Sequence, residues 1–250
     1  MNDFLPISRS DMQQRGWDDL DVILITGDAY VDHPAYGVAL IGRVLESRGY
    51  RVGVIAQPDW RTVADFKRLG RPRLFFGITS GNVDSMVANY TANKRPRQKD
   101  DYTPGGKAGL RPDRALIVYA NRVRQAFKDV PVVIGGIEAS MRRLAHYDYW
   151  DNRVRRSILF DARADILVYG MGESQTVEIA RRLADGETAD HLDHSPGTAV
   201  IRKDPAFLTD SVTIPACEAI ADDHEQFNRA LKCFYGEQNP VTARPVVQAH

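Results

Sequence analysis

Three glycine-bearing loops hold the side chains best suited to chemistry. The first, Gly27-Asp28-Ala29-Tyr30-Val31-Asp32-His33, brings two carboxylates and an imidazole close together in sequence. Such groups can hold a metal ion, exchange protons as general acid and base, or ligate a cofactor. The same residues also suit capping: Asp28 can close its own turn, and Asp32 or His33 can cap a helix beginning near Pro34. Gly135-Gly136, followed by Glu138, lets a backbone turn tightly or approach a ligand. Gly170-Met171-Gly172-Glu173 does the same and sets a carboxylate in the first turn of a helix. Ser80 opens a further polar loop, Ser80-Gly81-Asn82-Val83-Asp84. Asp28, Asp32, His33, Ser80, Gly135, Gly136, Glu138, Gly170, Gly172 and Glu173 form the candidate cofactor-binding set. No member of it is assigned as a resident metal ligand.

A second polar cluster, His146-Tyr147-Asp148-Tyr149-Trp150-Asp151, lies among Arg142, Arg143, Arg153, Arg155 and Arg156. On a helix His146 and Asp148 would not face one partner, because neighbours there are three or four residues apart. A charge network is the better reading. Lys94-Arg95-Pro96-Arg97-Gln98-Lys99 could grip phosphate, but two aspartates follow at once and a solvated loop is favoured. Residues 103–109, TPGGKAG, lack the earlier glycine of a phosphate-binding P-loop, and Ala108 stands where its hydroxyl would be. Cys217 and Cys233 are too far apart for a CxxC zinc site and too few for an iron–sulfur triplet.

The elements that position these loops alternate between strand and helix. Continuous apolar runs predict buried parallel strands at 22–26, 52–56, 73–78, 132–135 and 165–169. Helical spacing predicts helices over 37–48, 60–69, 114–128 and 171–184, with Gly49, Gly70 and Gly186 as stops. The expected fold is therefore α/β: a doubly wound, mostly parallel five-stranded sheet of Rossmann type, spanning 1–190. Residues 91–114 read as a long Pro-, Gly- and charge-rich insertion, and loops of that length are usually functional or mobile. Residues 191–250 read as a small α+β appendage, with short strands near 198–202 and 211–215, a helix over 218–234 and a strand near the end. In open α/β sheets ligands bind beyond the carboxyl ends of the strands, so all the candidate loops would converge on one crevice.

Composition narrows the function. The chain has 250 residues, 33 basic against 33 acidic, and 43% hydrophobic residues. That apolar content suits a packed core. Balanced charge argues against nucleic acid or an anionic membrane as the main partner. No apolar run reaches the ~20 residues of a membrane span, and two cysteines in so long a chain suggest a reducing compartment. A cytoplasmic location is expected.

GDAYVDHPAYG (27–37), RVGVIAQPDW (51–60), LFFGITSGNVDSM (74–86), residues 129–157 and ADILVYGMGE (164–173) closely resemble the N-terminal part of YgiQ-type radical-SAM proteins. The likeness extends through CFYGEQNP and VVQAH. It implies a cobalamin-binding-like domain ahead of a radical-SAM core, whose CxxxCxxC triplet holds a [4Fe–4S] cluster that cleaves S-adenosylmethionine. Those cofactors are implied for the full-length family only. The triplet is not in this chain, so the resemblance implies a fragment or a split protein. The cobalamin signature DxHxxG is not met either, since Asp32 directly precedes His33 and Gly37 lies one residue too far on. Cobalamin binding by this chain is expected to be weak or absent.

Two function classes follow. The resemblance implies an accessory domain that presents its strand-end crevice to a radical-SAM core acting on an unknown substrate. Residue spacing alone allows a free-standing α/β domain that binds a nucleotide or metal, including a hydrolase using Asp28, Asp32 and His33.

Overall fold

The computed structural model describes residues 4–192, 195–206, 208–239 and 241–250. In chain order the elements are α1 (Arg9–Gln14), β1 (Val22–Thr26), α2 (Gly37–Ser47), β2 (Val52–Ala56), α3 (Ala64–Lys67) and β3 (Phe75–Thr79). Next come α4 (Ser85–Asn89), α5 (Ala115–Ala126), β4 (Val132–Ile134), α6 (Gly136–Met141), β5 (His146–Asp148), β6 (Arg153–Arg155) and α7 (Ile158–Ala162). The chain continues through β7 (Ile166–Val168), α8 (Glu173–Ala184), β8 (Thr198–Ala199), β9 (Val212–Ile214), α9 (Cys217–Ala221), α10 (His224–Gly236) and β10 (Val246–Gln248). They form two compact units: Met1–Met141 with Leu159–Val200, and Arg142–Ile158 with Ile201–His250.

The first unit is built on a six-stranded sheet in the order β2-β1-β3-β4-β7-β8. The first five strands are parallel, and Val22 lies between Val52 and Phe75 while Thr26 lies between Ala56 and Thr79. The sixth strand is an addition to the five expected. Thr198 and Ala199 pair antiparallel with Val168 and Leu167, so this short strand completes the main sheet. Two residues carry too little pattern for the sequence to show which sheet they join.

Alternation across each strand builds two apolar layers. Val22, Leu24, Val52, Val54, Phe75, Val133, Ile166 and Val168 share one core with Val38 and Leu45 of α2 and Ile179 and Ala180 of α8. On the other face α5 packs on β3 and β4, and the rings of Phe66 and Tyr119 meet at 6.0 Å. The helix expected over 60–69 is reduced to α3. Asp59 accepts from the Arg61 amide (3.1 Å) and Asp65 from the Asp59 amide (2.7 Å). These side-chain bonds hold 59–63 in turns that compete with helix.

In the second unit β9 and β10 pair in parallel, and Ile214, Ile220 and Ala230 pack with Val154, Val212, Phe227 and Val246. His146 and Asp148 lie on a strand of the β5–β6 hairpin rather than on a helix, so the helical-spacing argument does not apply to them. Alternate strand residues share a face. Asp148 nevertheless closes the hairpin turn, accepting from the amides of Trp150 (2.8 Å) and Asp151 (3.1 Å). The arginine network is present: Arg155 pairs with Asp151 at 2.9 Å, and Arg143 lies 4.5 Å from the centre of the Phe234 ring.

The His146 ring donates through Nδ1 to the Leu144 carbonyl (3.1 Å). Burial lowers its pKa below the usual 6.5, helped by Arg142 and Arg155 and opposed by the Leu144 carbonyl and Asp148. A lowered imidazole pKa means that the unfolded chain takes up a proton before the folded one does. Its stability contribution is complete above about pH 6.5 and is lost as pH falls through the lower folded value. Urea unfolding followed by tryptophan fluorescence should show a falling midpoint between about pH 7.5 and 5, and His146→Gln should flatten that fall.

Candidate functional site

The strand order reverses between β1 and β3, where a doubly wound sheet opens a crevice beyond the strand ends. Here the crevice is closed from within by Arg111, carried by the 91–114 insertion. Its side chain is fully buried. Nη1 donates to the Ser80 carbonyl (2.7 Å), and Nη2 reaches Asp100 (3.1 Å) and Asp28 (2.8 Å). Asp28 is also fully buried and takes the Asn82 amide at 2.7 Å. Burial raises its pKa, while Arg111 and the Asn82 amide pull it down.

The insertion is irregular but closely tied. Tyr102 accepts from the Ala29 amide (2.9 Å), and Gln57 Nε2 bridges the Gly27 carbonyl (3.0 Å) and the Thr103 hydroxyl (2.6 Å). Two isolated bridges, Tyr90 to Pro96 and Lys99 to Lys107, fold it back on itself. A cavity of about 430 Å³ opens beside it, bounded by Trp60, Tyr90, Arg97, Arg111 and Val118. Gly27 has to be glycine because a Cβ there would lie 2.1 Å from the Ser80 carbonyl oxygen. The β1 and β3 loops therefore touch backbone to backbone.

The remaining candidates divide into those at this edge and those drawn elsewhere. Ser80 is buried, and its hydroxyl donates to the Val83 carbonyl (3.1 Å). Gly135 extends the sheet by donating to Ile78 (2.9 Å). Gly136 takes φ +84°, and a Cβ would lie 2.5 Å from the Thr79 hydroxyl. Glu138 is buried between two helix starts, accepting from the amides of Ser85 (2.9 Å) and Leu116 (3.3 Å). That placement offsets the positive end of each short dipole. Gly170 donates to the Ser140 hydroxyl (3.2 Å), and the Gly172 carbonyl accepts from the Thr176 amide (2.9 Å), with Glu173 opening α8.

Asp32 and His33 do not join Asp28. Arg43 of α2 binds both oxygens of Asp32 and lowers its pKa. His33 is exposed and takes the Ala35 amide on Nδ1 at 3.1 Å. The capping alternative is not met either: α2 begins after Tyr36 with no side-chain cap, His33 closes only a local turn, and Asp28 takes the distant Asn82 amide. Among the described residues no group of three His, Cys, Asp or Glu could hold a metal. An iron–sulfur cluster does not fit either, because the two half-buried cysteines cannot supply three thiolates. A histidine-ligated cobalamin does not fit His33, whose Nδ1 accepts from the Ala35 amide and so leaves the proton on Nε2, or a crevice holding Arg111.

Sequence reasoning missed Arg111, Asp100, Gln57 and Asn82. The available signal was the length of the insertion, which marked it as more than a plain connection.

Fold and site together define a doubly wound α/β domain whose ligand crevice is filled by its own chain. The sequence matches the family described as Radical SAM N-terminal over residues 4–250. UPF0313 protein RPA0679 of Rhodopseudomonas palustris is 50% identical over 267 residues, covering 99% of this chain and 39% of the relative. A UPF0313 protein of Clostridium botulinum is 53% identical over 248 residues, covering 99% and 38%. One from Clostridium perfringens is 52% identical over 250 residues, covering 100% and 38%. The chain belongs to the Radical SAM N-terminal family, as the YgiQ-type resemblance implied. It spans about two-fifths of the length of these curated relatives.

Removing Arg111 strands two buried carboxylates. Arg111→Met should cost about 3–5 kcal/mol in urea unfolding, the usual range for breaking a buried ion pair from one side. Adding Asp28→Asn and Asp100→Asn should recover part of that loss. A single variant as stable as the parent would contradict the arrangement.

Proposed function

We propose that this chain is the N-terminal accessory domain of a radical-SAM protein that depends on a [4Fe–4S] cluster. The carrying observation is the Radical SAM N-terminal match across residues 4–250, in relatives more than twice as long. The closed crevice supports a supporting role over a catalytic one: its charged groups are spent on each other. In this reading the catalytic portion carries the three cysteines, binds S-adenosylmethionine and acts on the substrate. This domain presents to it the edge where Ser80, Gly135, Gly136, Gly170 and Glu173 lie. The partner is that portion, downstream or on a separate chain, and the setting is the reducing cytoplasm. Among the described residues no helix is long and apolar enough to cross a membrane.

Anaerobic reconstitution with iron and sulfide tests the reading. This chain should show no broad visible cluster absorption and no cleavage of S-adenosylmethionine. The full-length Rhodopseudomonas palustris relative should show both, releasing 5′-deoxyadenosine on reduction. Cleavage by this chain alone, or a full-length relative that takes up no cluster, would overturn it.

A further inference from the structure

Among the exposed large hydrophobics of the first unit, Phe4 and Ile7 precede α1 and Leu110 lies in the insertion, while the other five follow strands of the sheet. Val31 follows β1, Val87 follows β3, Ile137 and Met141 follow β4, and Met171 follows β7. All five lie beyond the carboxyl ends of parallel strands. The segments that enter the strands at the opposite edge, 15–21, 48–51, 70–74, 128–131 and 163–165, hold none of the exposed large hydrophobics among the described residues. They carry charge instead, as at Arg48, Arg71, Lys128, Asp129 and Arg163.

Three of the five form a patch. Ile137 (48% exposed) and Met141 (63%) stand one turn apart on α6, whose opposite side buries Glu138 and Ala139. Met171 is 86% exposed, and its loop is tied to α6 by the Gly170 amide donating to the Ser140 hydroxyl. Gly136 fixes where α6 begins, so the patch is held by the sheet. Holding a methionine that far into water has no folding benefit, whereas an unbranched thioether adapts well to a partner surface.

Resting on the accessory-domain reading, we infer that Ile137, Met141 and Met171 form the docking surface for the remaining three-fifths of the longer protein. Two observations favour that occupant. The matched relatives each extend well beyond the region this chain covers, so a large further portion is at hand to bury the patch. The crevice at the ends of β1 and β3 is filled by Arg111 and Asp28, so the carboxyl edge is not left open there for a ligand.

The test uses the Rhodopseudomonas palustris relative with its matched segment replaced by this chain. A photoreactive p-benzoylphenylalanine is placed at Met171, or at Lys128 on the opposite edge as the control, and cross-linked peptides are mapped by mass spectrometry. Position 171 should cross-link within the same polypeptide to residues beyond the matched segment, and position 128 should not. Independently, Met171→Asp with Ile137→Asp should raise amide exchange in the remainder while leaving β1 and β3 protected. Cross-links confined to this chain, cross-links to a second copy, or none at all would each overturn the inference. So would equal cross-linking from position 128. Neither measurement needs a cluster, so cross-linking without cluster uptake would sink only the accessory-domain function, and uptake without cross-linking only the docking surface.

Discussion

A guanidinium withdrawn from water must be met by negative charge, and that constraint shapes the carboxyl edge of this sheet. Arg111 is fully buried and is matched by Asp28 and Asp100. An unpaired buried ion would carry a penalty of several kcal/mol, so the three groups have to be brought together or not buried at all. Asp28 comes from the end of β1, and Asp100 and Arg111 come from the insertion. The Ser80 carbonyl from the end of β3 completes the set. One side chain thus joins two adjacent strand ends to a connection that has little regular structure of its own.

Several other features follow from that junction. Gly27 must lack a Cβ so that the β1 loop can lie against Ser80. Asn82 turns its amide onto Asp28, and Gln57 bridges from the end of β2 to Gly27 and Thr103. Further along the same edge Glu138 draws the starts of α4 and α5 together. The Arg111 Nη groups and the Asp28 and Asp100 carboxylates are matched to one another, while Arg111 Nε and Trp60 Nε1 are buried with no hydrogen-bond partner among the described residues. The exposed side chains at this edge are mixed, with Val31, Ile137 and Met171 beside His33 and the charged run 94–99 of the insertion.

Much of the fold could be read from the chain because its signals are local. Val22–Thr26 and Val52–Ala56 are apolar runs bounded by turns, and both are strands as expected. Gly49 follows the helix it was expected to stop, with φ +87°. The short strand near 198 was legible, but its place as sixth strand of the main sheet was not, because two residues hold no period and their pairing depends on where β7 lies. The candidate loops were legible by position alone, since strand ends follow from strand limits. Their partners were not. Nothing near Asp28 in sequence indicates Arg111, and nothing near Asp32 distinguishes pairing with Arg43 from pairing with a metal. Long-range ion pairs are settled by topology, and topology is what a single sequence expresses least directly.

The insertion is part of the packed sheet edge and not a loose loop. Amide hydrogen exchange measures this directly. The Ala29 amide donates to Tyr102, the Asn82 amide to Asp28 and the Asp100 amide to Gly106. If Arg111 locks the edge, these three amides exchange only when the sheet opens, with protection matching that of β1. Exchange of all three at the rate of a free loop, while β1 stays protected, would contradict the account.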